Sequence, residues 1–284
     1  MRVVVTGAGG QLGRELVPVL TARGHVAIGL TRRDCDVTDA GGVGAALEAH
    51  RPDVVVNCAA WTRVDAAESD PDAAYRVNAL GPRTLAEACV ENRVRLCHLS
   101  TDYVFDGSSP HPIAESATPH PLNVYGASKL AGENEVRRIL SDSLVVRTSW
   151  LYGQDGPNFV LSILRRAGHS SPLRVVDDQR GCRTWTGHLA PAVVRLLERG
   201  VGDAVVHLTN SGETTWHGFA EATLAEADCP EVPVTAVSSA DYGGAARRPP
   251  YSVLDNRVWR LLGEAPLPPW QEGLRAYLAR RPPR

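Results

Sequence analysis

Close to its start the chain reads "VVVTGAGGQLGREL", a β-branched run that breaks into glycines at Gly7, Gly10 and Gly13. The run predicts a short buried strand over 2–6. The apolar positions Leu12, Leu16, Val19 and Leu20 predict a helix over 11–23, with Pro18 inside it. Glycine between a strand and a helix permits a tight turn and a close approach of backbone to a ligand. The helix start, at Gln11 and Leu12, then offers unpaired N–H groups and the positive end of its dipole. Strand, loop and helix in that order mark a dinucleotide-binding turn. A glycine-rich turn without a ligand is the bland alternative, and the combined context disfavours it.

The same alternation continues. Strands are predicted over 25–30, 53–57, 94–100 and 144–147. Helices are predicted over 39–50, capped by Thr38 or Asp39, over 71–92 in one or two pieces, and over 125–140. Short strands alternating with helices give an α/β fold with a doubly wound parallel sheet, the Rossmann arrangement. The second half is less regular: helices over 158–167, 186–199 and 216–227, and strands over 173–177 and 204–208. The expected division is a dinucleotide-binding domain over 1–150 with a returning segment about 182–210. A smaller α/β substrate domain covers 151–284.

With 284 residues and a formal net charge of -2, the chain has no cationic excess to neutralise phosphate backbones or a membrane surface. Neither nucleic acid nor a membrane is expected as a partner. No apolar run is long enough for a membrane span, and no leader is evident. The six cysteines form no C-x-x-C pair, so a reducing, cytoplasmic setting is expected and no metal.

In a Rossmann fold an acid after the second strand holds the ribose of NAD. Here that strand ends in "GLTRRD", and Arg32 and Arg33 stand at the acid's place. Arginine suits a 2′-phosphate, so NADPH is the expected cofactor, with NADH the alternative. Asp36 and Val37 are placed beside the adenine.

The stretch "NVYGASKLAGE" carries Tyr125 and Lys129 four apart, on one helix face. A phenol near pKa 10 is a poor acid at neutral pH, and a nearby ammonium favours the phenolate. A carbonyl reductase needs such an acid to protonate oxygen as hydride reaches carbon. Alone the pair is common on helix surfaces; downstream of a phosphate loop it reads as chemistry. Ser100 and Thr101, ending the fourth strand, offer a hydroxyl at the edge where parallel-sheet enzymes react. Other residues read as structural. His207 and His217 are packing or capping groups, Trp216 is core, and Glu133 and Glu135 form a solvated helix face with Arg137 and Arg138.

Through "TGAGGQLG", "PDVVVNCAAWTRVDAAE", "STDYVFDG", "NVYGASKLAGE", "VVRTSWLYG" and "ARRP", the chain resembles the dTDP-4-dehydrorhamnose reductase family, which are extended short-chain dehydrogenase/reductases. The likeness runs nearly end to end. It implies NADPH-dependent reduction of the C4 ketone of a dTDP-linked 4-keto-6-deoxyhexose, with Thr101, Tyr125 and Lys129 as the catalytic set. It implies Ala59, Ala60 and Trp61 along the cofactor. Asp102, Trp150, Asn158 and Arg247 fall on the substrate side, with Arg247 or Arg248 toward a diphosphate. A homodimer is one assembly it allows. Two departures fall in the presumed sugar region: Arg183 stands at a usual proline and Tyr251 at a usual asparagine. They leave the sugar open among related keto-sugars. Glu15 matches one acid of a magnesium contact carried by some members, but its companions are not found. An epimerase or dehydratase of the superfamily, or a non-catalytic NADP-binding regulatory subunit, are the competing readings.

Overall fold

The computed structural model describes residues 1–168 and 172–281. Five strands, β1 (Arg2–Thr6), β2 (Val26–Leu30), β3 (Val54–Asn57), β4 (Arg95–Thr101) and β5 (Leu144–Thr148), join the strand Ala204–His207 in one six-stranded sheet. Every pairing is parallel, and the order is Ala204–His207, β5, β4, β3, β1, β2. Alternation along each strand separates two cores. Val3 and Val5 pack with Leu12, Leu16 and Leu20 of helix α1 (Gln11–Ala22) and with the helix Thr186–Glu198. Val4 points the other way, to Val43 and Leu47 of helix α2 (Ala40–His50) and to Leu85. Both faces are therefore covered, as a doubly wound sheet requires. Leu16 is fully buried, and truncating such a leucine costs about 2–5 kcal/mol.

Local chemistry sets the element ends. Asp39 caps α2 by accepting from the Gly41 N–H. Helix α1 runs on through Pro18. The region expected as one or two helices divides further, into Val64–Ser69, Pro71–Tyr75, a π-helical turn Arg76–Leu80, and Gly81–Asn92. The wide turn buries Asn78. Its side chain accepts from Trp61 N–H, donates to the Trp61 carbonyl and reaches Ser128 Oγ on the helix Val124–Ile139. That last helix lies so close to its neighbours that a Cβ on Gly126 would run into the Tyr103 carbonyl, and one on Gly132 into the Asn78 carbonyl.

In the second half, strands Leu173–Val176 and Val234–Val237 pair in parallel. The helices Phe159–Arg166 and Trp216–Glu226 pack on them, and Trp270–Ala279 packs on Trp216–Glu226 over an aromatic core of Tyr152, Trp185, Phe219, Trp270 and Tyr277. Among the described residues no helix is long and apolar enough to cross a membrane.

Candidate active site

The sheet order reverses between β1 and β3, and ligands of open α/β sheets bind at such a point, beyond the strands' C-terminal ends. Gly7 turns the chain there with φ +67, and a Cβ on it would lie 2.5 Å from Ala59 N. Only glycine fits that turn. Helix α1 follows with no side-chain cap at Gly10, so its first N–H groups stay available.

Two cavities open over this edge. One, about 310 Å³, is lined by Gly7, Arg32, Asp36, Val37, Ala59 and Trp61 among others. The other, about 580 Å³, runs past Gln11, Leu12 and Gly13 to Thr101, Asp102, Tyr125, Lys129 and Trp150. They share Gly9, Gly10, Cys58 and Ala60, forming one trough. Arg33 does not line it. Asp36 accepts from Thr38 through one oxygen and from Arg32 Nε, at 3.1 Å, through the other. Those bonds hold its carboxyl below the ordinary range, the Thr38 N–H being the largest cause. Both of its oxygens thus already accept from the protein, while the Arg32 guanidinium is exposed at the trough's end.

Asn123 caps the helix Val124–Ile139 by accepting from the Gly126 N–H at 2.8 Å. It also donates to the Arg247 carbonyl at 2.8 Å, tying this helix to the loop around Arg247. Tyr125 and Lys129 follow on the helix and meet Thr101 in the same cavity. The resting geometry differs from the expected ammonium–phenol coupling. Burial pushes the Tyr125 phenol up to about 12, with a hydrogen bond from Thr101 acting against it. Lys129 Nζ instead donates to the Leu99 carbonyl at 2.6 Å and lies 3.4 Å from His98 Nε2. Burial lowers Lys129 to about 8, with Glu133 and then Cys58 opposing. Asp102 is 1 % exposed and has one oxygen without a hydrogen-bond partner, and burial raises it to about 7.

The reading of Glu133 as a solvated face is corrected. Glu133 is buried and holds Arg147 of β5 through both oxygens, at 2.6 and 2.9 Å, while Ser100 donates to it. The helix packs on β4 and β5 along this side, so only Glu135 and the two arginines remain on the outer face.

A separate cleft of about 470 Å³ lies in the second half, lined by Arg166, Arg174, Arg247, Arg248, Phe159 and Trp216. Arg248 is held by Asp65, at 2.6 and 3.1 Å, whereas Arg247 is exposed. Trp216 stacks on Trp150 at 3.8 Å, so this cleft and the trough meet across one aromatic pair. Trp150 holds a left-handed φ of 46, a strained conformation for a bulky residue. Arg183 is fully buried against Trp150 and Trp216, its guanidinium nitrogens without hydrogen-bond partners. It lines neither cavity. Tyr251 donates to Glu213 at 2.9 Å. Asn158 caps the helix Phe159–Arg166 and donates to the Gly153 carbonyl. Glu15 pairs with Arg280 at 2.8 Å.

Sequence reasoning passed over Asn57, Asn78 and His98, all buried around the trough. A polar residue inside a β-branched strand, as in "VVVN", was the available signal.

Sheet order, glycine turn and the Thr–Tyr–Lys cluster together define a Rossmann-type dehydrogenase/reductase. More narrowly, residues 1–281 match the RmlD substrate binding domain, and the chain belongs to that family. It is 44% identical over 274 residues to a dTDP-4-keto-6-deoxy-D-glucose reductase of Streptomyces niveus, covering 96% of this chain and 95% of that one. It is 45% identical over 278 residues to a dTDP-4-dehydrorhamnose reductase of Streptomyces griseus, covering 96% and 91%. A crystal structure of dTDP-4-dehydrorhamnose reductase from Bacillus anthracis in complex with NADP superposes with a TM-score of 0.94 at 36% identity, covering 99% of both chains.

Proposed function

We propose that this chain is an NADPH-dependent reductase of the C4 ketone of a dTDP-linked 4-keto-6-deoxyhexose. The observation that carries the reading is the meeting of Thr101, Tyr125 and Lys129 in the trough that begins at the glycine turn. The relatives' names narrow the substrate class.

The residues present fit a dinucleotide. The Gly7 turn and the uncapped start of α1 suit a pyrophosphate. Arg32 suits a 2′-phosphate, and Asp36, paired with Arg32 and Thr38, is engaged with the protein's own donors. NADPH bound there supplies the hydride. Thr101 donates a hydrogen bond to the carbonyl oxygen, and Tyr125 gives that oxygen its proton. Lys129, as an ammonium, favours the phenolate left behind. The four-arginine cleft takes the nucleotide diphosphate, with Trp216 and Phe159 as an aromatic face for the base. The keto-sugar then spans the Trp150–Trp216 junction. In this reading residues 1–150, with 182–210 returning, hold the cofactor and 151–284 mainly hold the nucleotide sugar. The free cysteines support a reducing, cytoplasmic setting.

The test is NADPH oxidation against a panel of dTDP-4-keto-6-deoxysugars, with NMR of the product. Consumption of NADPH with a C4 alcohol formed supports the reading. Tightly held NAD and no net oxidation of NADPH would replace it with an epimerase or dehydratase.

A further inference from the structure

A row of polar side chains crosses the sheet just beneath the trough. Thr6, Asn57 and His98 are register partners on β1, β3 and β4, so they stand side by side on one face. The helix Val124–Ile139, which carries Lys129, packs against β4 beside that row. All four side chains are buried, between 0% and 2% exposed. A buried row of this kind has few ways to place its protons.

The placement starts from a group that cannot change. Ala59 N–H is a fixed donor, and it points at Asn57 Oδ1 at 3.1 Å. Thr6 Oγ1 donates to the same oxygen at 2.8 Å. The amide of Asn57 is therefore fixed with its NH₂ on the other side, toward His98 Nδ1 at 3.1 Å. Nδ1 must accept. His98 is neutral, its pKa well below the ordinary value because of burial and then the nearby Lys129. Its one proton is consequently on Nε2, and Nε2 faces Lys129 Nζ at 3.4 Å.

We propose that His98 is a positioning residue for Lys129: locked as the Nε2–H tautomer by Asn57, it turns a donor toward Nζ and so favours the neutral amine over the ammonium in the cofactor-free protein. An ammonium has three N–H groups and no lone pair, so it has nothing to offer that donor. A neutral amine accepts it while still donating to the Leu99 carbonyl. The other groups facing Nζ are Glu133 on the same helix, itself neutralised by Arg147 of β5, and Cys58 after β3. Cys58 is held as a thiol, pushed up to about 12 by burial. Tyr125 faces the same cavity as a neutral phenol. The row thus links the strand that opens the phosphate loop to the charge on the lysine. This rests on the reductase reading only for its consequence, since the tautomer argument needs no substrate.

Lys129 is the chain's only lysine. Protein labelled with ¹³C at lysine Cε therefore gives one side-chain resonance, whose shift against pH reports the Lys129 midpoint directly. The expected wild-type midpoint is well below that of an ordinary lysine. His98→Asn keeps an acceptor for Asn57 and removes the donor toward Nζ. Its midpoint should rise by roughly one pH unit, a tenfold change in the amine-to-ammonium ratio. His98→Gln restores a donor at the Nε2 position and should return the midpoint toward wild type. Long-range ¹H–¹⁵N spectra of the wild type should show the proton on Nε2 of His98. An unshifted midpoint in His98→Asn, or a proton on Nδ1, overturns the proposal. If His98→Asn does not fold, the wild-type tautomer decides. If no keto-sugar is reduced, the functional reading falls while these spectra still judge His98.

Discussion

Glu133 lies one helical turn beyond Lys129, and its carboxylate is clasped from β5 by Arg147 in a two-point ion pair that is almost wholly buried. Ser100 adds a third donor. Removing one partner of a buried pair strands the other charge, which costs about 3–5 kcal/mol. Glu133→Ala and Arg147→Ala should each lower the unfolding free energy by about that much in urea titrations. Glu133→Leu combined with Arg147→Met should cost much less than the sum of the two single changes. A double variant as unstable as that sum would show that the pair is not the operative unit.

Tyr125→Phe removes the proposed proton donor and leaves the ring against Tyr103, 5.8 Å away between centroids. Loss of a general acid lowers kcat by roughly 10²–10⁴. NADPH affinity, followed by fluorescence titration, should stay close to wild type because the Gly7 turn and Arg32, which line the other cavity, are untouched. Turnover undiminished in this variant would remove Tyr125 from the mechanism.

The pH dependence follows from Lys129 and Asp102, with Tyr125 protonated throughout. Lys129 has a folded value of about 8, below the ordinary 10.5, so its ammonium is lost as pH rises through about 8. Tyr125, at about 12, keeps its proton past that point. The value of kcat/KM for ketone reduction should fall above about pH 8, close to tenfold per unit. Asp102 ionises earlier, near 7. Asp102→Asn removes that step and leaves the Lys129 limb in place. Initial rates over about pH 6 to 10 separate the two.

Two glycines in helices should answer oppositely to alanine. At Gly132 a Cβ meets the Asn78 carbonyl, and Gly132→Ala should destabilise by about 1–3 kcal/mol through overpacking. At Gly44 nothing lies within 4 Å of the added carbon, and Gly44→Ala should stabilise by about 0.5–1 kcal/mol. Thermal melts of both variants give the signs.

The glycine turn, the alternating strands and the Tyr125–Lys129 helix are legible in sequence because each depends on local period and local chemistry. Glu133 is not. Its surroundings come from Ser100 and Arg147, on strands whose contact with this helix only the tertiary fold decides. The π turn at Arg76–Leu80 hides for the same reason, since its wide geometry is held by Asn78 reaching Trp61 and Ser128. Arg183 reads as a sugar-side residue by position, yet the fold seals it behind Trp150 and Trp216. The Asn57–His98 pairing depends on strand register, which single-strand patterns do not carry.

Because arginine supplies every other strongly basic side chain, the one lysine makes the protein's covalent chemistry singular. Guanidinium groups do not form imines or react with ordinary acylating esters at neutral pH, and an amine lowered to about 8 is partly unprotonated there. Aldehydes and activated esters thus find a single side-chain amine, in the trough at Lys129. Among side-chain amines, an electrophile shaped for the trough would mark Lys129 alone, so the stoichiometry of amine labelling would count intact sites.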